Sequence, residues 1–211
     1  MDYLSKSAAF VKILFIDGGP IVWLLLVLLL WGIYIIIVKS RQLNRQRLIN
    51  PEVIDHIEKL LLDKRLPEAT AFCKQHSLPM TRIVLAGIVN FDRSEAELKE
   101  ILEEAGRQEV PGIRHHLSTL GTIAGIAPLL GLLGTVLGMI EVFATLSVGS
   151  NINANNLAGG ISQALITTAC GLAVAMPTMA FYNSLNNRAT NLIIEMEKVS
   201  LHMAAILSRT R

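Results

Sequence analysis

Charge is scarce in this chain: 17% of its 211 residues are Asp, Glu, Lys or Arg. The 19 basic and 17 acidic residues nearly cancel to +2, so the surplus of positive charge that a nucleic-acid partner needs is missing. Cysteine is scarcer still. Cys73 and Cys170 stand far apart, in no CxxC or Cys/His pattern, and neither a disulfide nor a metal site is expected. Cys170 sits in an apolar run and is expected to be a small packing residue. There is no nucleophile–base constellation and no phosphate-binding glycine loop, so neither an enzyme nor a bound cofactor is expected. What abounds is apolar surface. Hydrophobic residues make up 52% of the chain and mean hydropathy is +0.48, which places it among membrane proteins.

Three apolar stretches carry that excess. Residues 20–38 hold no charge, are rich in Leu and Ile, and include Trp23, Trp31 and Tyr34. As a helix they reach about 29 Å, close to the thickness of a hydrocarbon core. A secretory signal peptide fits poorly, because the run starts after Asp17-Gly18-Gly19-Pro20 and leads into basic residues instead of a small-residue cleavage site. It reads as a retained first helix with a bulky, lipid-facing surface. Lys39, Arg41, Arg45 and Arg47 follow at once, which marks the cytoplasmic side and puts the N-terminus outside. The expected layout is all-α with three transmembrane helices, N-out and C-in. Residues 1–19 form an outer segment and 20–38 the first span. Residues 39–115 are a cytoplasmic helical domain, 116–146 the second span, and 147–157 an uncharged polar turn on the outer side. Residues 158–185 are the third span and 186–211 a cytoplasmic amphipathic helix.

Prolines and caps punctuate the cytoplasmic part. Pro51, Pro67 and Pro79 each read as the first turn of a helix. Ser94 with Glu97 reads as a capping box opening a longer helix that aims toward the second span. Pro111-Gly112 is expected to kink or break it. His115 and His116 follow; a metal or pH-switch role is open to them, but no third ligand is near in sequence and a solvated, interfacial place is the preferred reading.

The second and third spans differ from the first, because both are laced with small residues. Ala124, Ala127, Gly131, Gly134 or Thr135, and Gly138 recur at helical spacing and share a face. Gly160, Ala164, Thr167 or Thr168, Gly171 and Ala175 do the same on the third span. Lipid rewards no such pattern, whereas helices that must approach one another closely do. Gly134 and Gly138 make a GxxxG, read as packing and not as a nucleotide site. Thr135 and Thr168 put hydroxyls near the middle of their spans. A membrane threonine ordinarily bonds back to its own helix, so a structural role and a place on a polar interior both stay open. Pro128 and Pro177 free carbonyls that need interior partners. Glu141 is the one charged residue between Leu117 and Asn187. A carboxylate in lipid is a functional candidate, but Glu141 lies close enough to the polar turn to reach interfacial water, and both readings stand. Gln163 can hydrogen-bond but cannot carry a proton near neutral pH.

The stretches GLLGTVLGMIEVF and GISQALITTACGL, the following AMP and FYNSLNNR, and the three-span layout together resemble the MotA/TolQ/ExbB proton-channel family, above all its ExbB and TolQ branch. The resemblance covers nearly the whole chain. It implies a homopentamer in the bacterial inner membrane, whose second and third helices surround a pore holding transmembrane helices of an ExbD- or TolR-like partner. It further implies a TonB- or TolA-like protein beyond that partner. Thr135 and Thr168 match the family's pore threonines. Thr167, Gln163, Gly131, Gly138 and Gly171 fall on the same pore-lining stretches. Gln163 stands where some relatives have a glutamate, so by analogy the titrating group is an aspartate on the partner, and the coupling ion can be H⁺ or Na⁺. An ExbB-type role in TonB-dependent outer-membrane transport is preferred over a TolQ-type role in envelope maintenance. A flagellar stator is disfavoured, since its relatives have four spans. A non-conducting membrane scaffold remains a separate reading.

Overall fold

The computed structural model of the protein describes residues 19–147 and 154–210. The outer N-terminal segment, apart from Gly19, and residues 148–153 of the expected polar turn lie outside the described residues. Among the described residues all regular structure is α-helical: α1 (Gly19–Gln42), α2 (Arg45–Leu48), α3 (Pro51–Leu62), α4 (Leu66–Gln75), α5 (Pro79–Val89), α6 (Glu95–Arg114), α7 (Leu117–Ser147) and α8 (Ala154–Thr210). Among the described residues three stretches are long and apolar enough to cross a membrane: Gly19–Gln42, Leu117–Ala144 and Ala158–Arg209. The chain divides into two compact units. One takes residues up to Ile37 together with His116–Asn183; the other takes Val38–His115 and Ser184–Arg211.

In the first unit, α1 turns Val22, Leu25, Gly32 and Ile35 inward. Trp23, Leu24, Val27, Leu30, Trp31 and Tyr34 are exposed. An aqueous surface would not tolerate so many large apolar groups, whereas hydrocarbon solvates them. Leu25 packs with Ala127 of α7 and Val174 and Ala175 of α8, and Cys170 closes against this cluster. Cys170 is therefore the small packing residue that its apolar run predicts.

The second unit is assembled from amphipathic helices with the expected starts. Pro51 and Pro79 are the first residues of α3 and α5, and Pro67 is the second of α4. Asn50 accepts a hydrogen bond from the Glu52 amide at 3.2 Å, meeting one of the orphan donors of α3. Ser94 and Glu97 form the capping box of α6: the Glu97 amide donates to the Ser94 hydroxyl at 3.3 Å, and the Ser94 amide to the Glu97 carboxylate at 2.8 Å. One stripe of each helix is buried, including Ile57 and Leu61 of α3, Met80 and Val84 of α5, Leu98 and Leu102 of α6, and Met203 and Leu207 of α8. Across α5 and α6, the Arg82 guanidinium forks onto the Glu109 carboxylate at 2.6 and 2.5 Å.

The helices differ from expectation in three places. Pro111-Gly112, expected to kink or break α6, does not end it; the helix continues to Arg114. Pro111 has no N–H to offer the Arg107 carbonyl, so one intrahelical bond is missing, yet the helix runs on through it to its end at Arg114. The Lys39 ammonium meets the carbonyls left open there, donating to Gly112 O at 3.4 Å and Ile113 O at 3.3 Å. The chain turns instead at His116, whose φ of 65° is left-handed. The third span and the amphipathic tail, read as separate segments, belong to one 57-residue helix that passes through Pro177. Ala154–Leu157, assigned to the turn by their polarity, are the first turn of α8.

Cys73 lies buried in α4, and burial pushes its thiol up to about 11. Near pH 8 only about one molecule in a thousand carries the reactive thiolate. In a Cys170→Ala background, the native protein is expected to resist an aqueous thiol reagent at that pH and to react at once on unfolding. Labelling of native protein at the rate of a free cysteine would show that the site opens.

Candidate functional site: the α7–α8 pair

The small-residue faces read from the sequence meet each other. On α7, Ala124, Ala127, Gly131, Gly134 and Gly138 are buried; on α8, Ala164, Thr167, Gly171 and Ala175 are buried, with Gly160 half-buried. The backbones approach so closely that a side chain is excluded. A Cβ added at Gly171 would lie 2.7 Å from Ala127 O and 3.0 Å from Gly131 Cα. One added at Gly131 would lie 2.9 Å from Thr167 O, and one at Gly138 would lie 3.0 Å from Gly160 O. These neighbours are backbone atoms, which cannot swing away. Gly131, Gly138 and Gly171 are thus engaged in the contact between two helices of one chain, and close packing of this kind holds helices together where no hydrophobic effect acts.

The two adjacent threonines of α8 do different things. Thr167 is buried, fills the space opposite Gly134, and donates within its own helix to Ala164 O at 2.8 Å. That is the self-bonding common to membrane threonines. Thr168, half-buried, donates across the helix pair to Gly131 O at 3.2 Å. It is the hydroxyl that links α7 to α8. Thr135, also half-buried, donates to Leu132 O at 2.7 Å in its own helix. A hydroxyl that donates one proton keeps lone pairs to accept with, so Thr135 and Thr168 can still bind water or a carboxylic acid.

Gln163 is half-buried, and its side-chain amide lies beside Gly19 at the start of α1: a Cβ there would fall 2.5 Å from Gln163 Nε2. Glu141 is exposed on α7, and among the described residues its carboxylate has no hydrogen-bond or ion-pair partner. The structure brings Thr168 to Gly131 and Thr167 to Gly134. The Thr167 hydroxyl also lies 3.2 Å from the Gln163 backbone carbonyl, but among the described residues neither the Glu141 carboxylate nor the Gln163 side chain hydrogen-bonds to these threonines. His115 and His116 are exposed. Among the described residues no group of three His, Cys, Asp or Glu side chains could hold a metal. Thr178 was not singled out from the sequence; it is buried, bonds to Val174 O at 2.7 Å, and faces Gly32 of α1. The one glycine inside the bulky first span was the signal for that contact.

Residues 75–198 match the model of the MotA/TolQ/ExbB proton channel family. Among similar proteins is biopolymer transport protein ExbB-like 3 of Synechocystis, 39% identical over 67% of this chain and 66% of that protein. A biopolymer transport protein ExbB homolog of Methanothermobacter thermautotrophicus is 30% identical over 89% of this chain and 66% of its own length. The Tol-Pal system protein TolQ of Haemophilus influenzae is 36% identical over 47% of this chain and 45% of its own. The matches to the first two relatives thus span 66% of each relative's length. Since more than half of the chain matches the family, and three helices among the described residues are long and apolar enough to span a bilayer, it is a multi-pass membrane protein and belongs to the MotA/TolQ/ExbB proton channel family.

Proposed function

We propose that the chain is an ExbB-like subunit of an ion-driven motor in the bacterial inner membrane. It sits N-out and C-in, assembles as a homopentamer, and works with an ExbD- or TolR-like transmembrane partner to energise a TonB-like protein. The observation that carries this reading is the Thr168–Gly131 bond in the middle of a glycine-built helix pair. It places a polar group with spare accepting capacity where the rest of the α7–α8 contact is apolar or small.

In this reading Thr135 and Thr168 line the ion path. Thr167, Gly131, Gly138 and Gly171 set the wall by holding α7 and α8 at close approach, and Gln163 adds an amide toward the outer end. None of these side chains titrates near neutral pH. They orient water and any carboxyl group offered by the partner, which supplies the proton-binding aspartate. Glu141 is the one carboxylate that this chain offers in its second and third spans, and its exposed position fits a mouth of the path better than its centre. The likeness to a TolQ protein supports a second reading, a subunit of a Tol-Pal-type envelope system. The two readings share the channel and differ in the partner downstream.

Ion uptake into liposomes separates these readings from a non-conducting scaffold. Vesicles holding the full-length protein, alone and with its co-purified small partner, are given a proton or a sodium gradient. Flux that needs the partner is the expected result, and the gradient that drives it names the ion. No flux from a correctly assembled ring with its partner would leave the scaffold.

A further inference from the structure

We propose that the second unit holds a binding site for a phosphate group, built on Lys39 and Arg47 just past the first span, and that a membrane phospholipid supplies it. Lys39 is 2% exposed. A buried ammonium is costly unless paired, yet its hydrogen bonds go to two neutral carbonyls at 3.3 and 3.4 Å, both at the long limit. It lines a cavity of about 250 Å³ together with Arg47, Leu48, Arg82, Glu109 and Gly112. The one carboxylate among these, Glu109, is held by both arms of Arg82, so that pair is neutral. Two cationic charges, Lys39 and Arg47, remain on the wall without an ion-pair partner among the described residues.

An anion is the missing member. A phosphate suits the site because it accepts from a planar guanidinium and an ammonium together. Position selects the source, since these are among the first basic residues after an apolar span, where an anionic headgroup is concentrated. A purely structural Lys39, serving only to close the end of α6, would make no demand on Arg47.

Native mass spectrometry of the full-length protein tests this, with dioleoylphosphatidylglycerol or dioleoylphosphatidylcholine added at equal concentration. The expected result is preferential retention of phosphatidylglycerol, weakened about fivefold by Arg47→Gln. Arg107→Gln, which removes the same charge outside this cavity, is expected to leave retention unchanged. Lys39→Met should weaken retention further; because it also removes a helix cap, Arg47→Gln is the deciding variant. Inorganic phosphate provides the second arm. Binding of phosphate that depends on Arg47, without preference between the lipids, would keep the site and make its ligand a free phosphate. Equal retention in wild type and Arg47→Gln, or equal losses in Arg47→Gln and Arg107→Gln, would overturn the site.

Discussion

Thr168→Val is expected to reduce partner-dependent ion uptake by about tenfold or more, the equivalent of about 1.4 kcal/mol in barrier height. Valine keeps the shape of threonine and removes only the hydroxyl. In the helix pair that hydroxyl donates to Gly131 O at 3.2 Å and retains lone pairs for a water or a carboxyl group. Its loss leaves an apolar patch along the proposed path, while the glycine contacts that hold α7 to α8 stay in place. The cost in stability should be small, because interhelical hydrogen bonds in membranes average about 0.6 kcal/mol. Thr167→Val is the matched control. Its hydroxyl bonds within its own helix and faces the neighbouring glycine, so flux should persist. Wild-type flux in Thr168→Val would remove that residue from the path and leave it a packing role.

The second large effect is expected at Gly171. A methyl group there would lie 2.7 Å from Ala127 O and 3.0 Å from Gly131 Cα, both backbone atoms. Relief requires α7 and α8 to separate along their length. Overpacking of this kind costs about 1–3 kcal/mol. At about 2–4 °C per kcal/mol for a chain of this size, the detergent-solubilised Gly171→Ala protein should melt between about 2 and 12 °C lower. Gly125→Ala on α7 is the control, since nothing lies within 4 Å of its added methyl. That change should cost nothing and can gain slightly from better helix propensity. If both variants melt alike, the close approach of the two backbones is not what holds the pair. Thr168→Val and Gly171→Ala therefore separate the chemistry of the path from the construction of its wall.

Much of this was legible in the sequence, for reasons that differ by residue. The spans declare themselves because bilayer thickness demands a long uncharged run, a property of composition and length. The starts of α3, α5 and α6 declare themselves because a proline in the first turn, or Ser94 with Glu97, acts on donors within four residues. Small residues at three-and-four spacing foretold a close helix contact, and glycine at 131, 138 and 171 is in one. Helical hydrogen bonds and helical periodicity are both local, so a linear reading reaches them.

What needed the tertiary structure was the direction in which each side chain points, and against what. Thr167 and Thr168 are neighbours in sequence but lie about 100° apart around the helix, and only the position of α7 decides that Thr168 crosses to Gly131 while Thr167 bonds to its own turn. Pro111-Gly112, read as a kink or break, does not end α6: the proline signal is local, whereas the carbonyls beyond it are met by Lys39, more than seventy residues earlier in the chain. Lys39 itself read as one of four basic residues marking a membrane face. Its burial, and the cavity it shares with Arg47, arise from packing the last turn of α1 against helices of the second unit that the sequence does not place beside it. By itself, then, the sequence determined the spans, the helix starts and the small-residue faces, since composition and hydrogen bonds within one turn decide those. The tertiary structure decided which hydroxyl and which cation carry a role, because that depends on the atoms a distant segment brings within 3 or 4 Å.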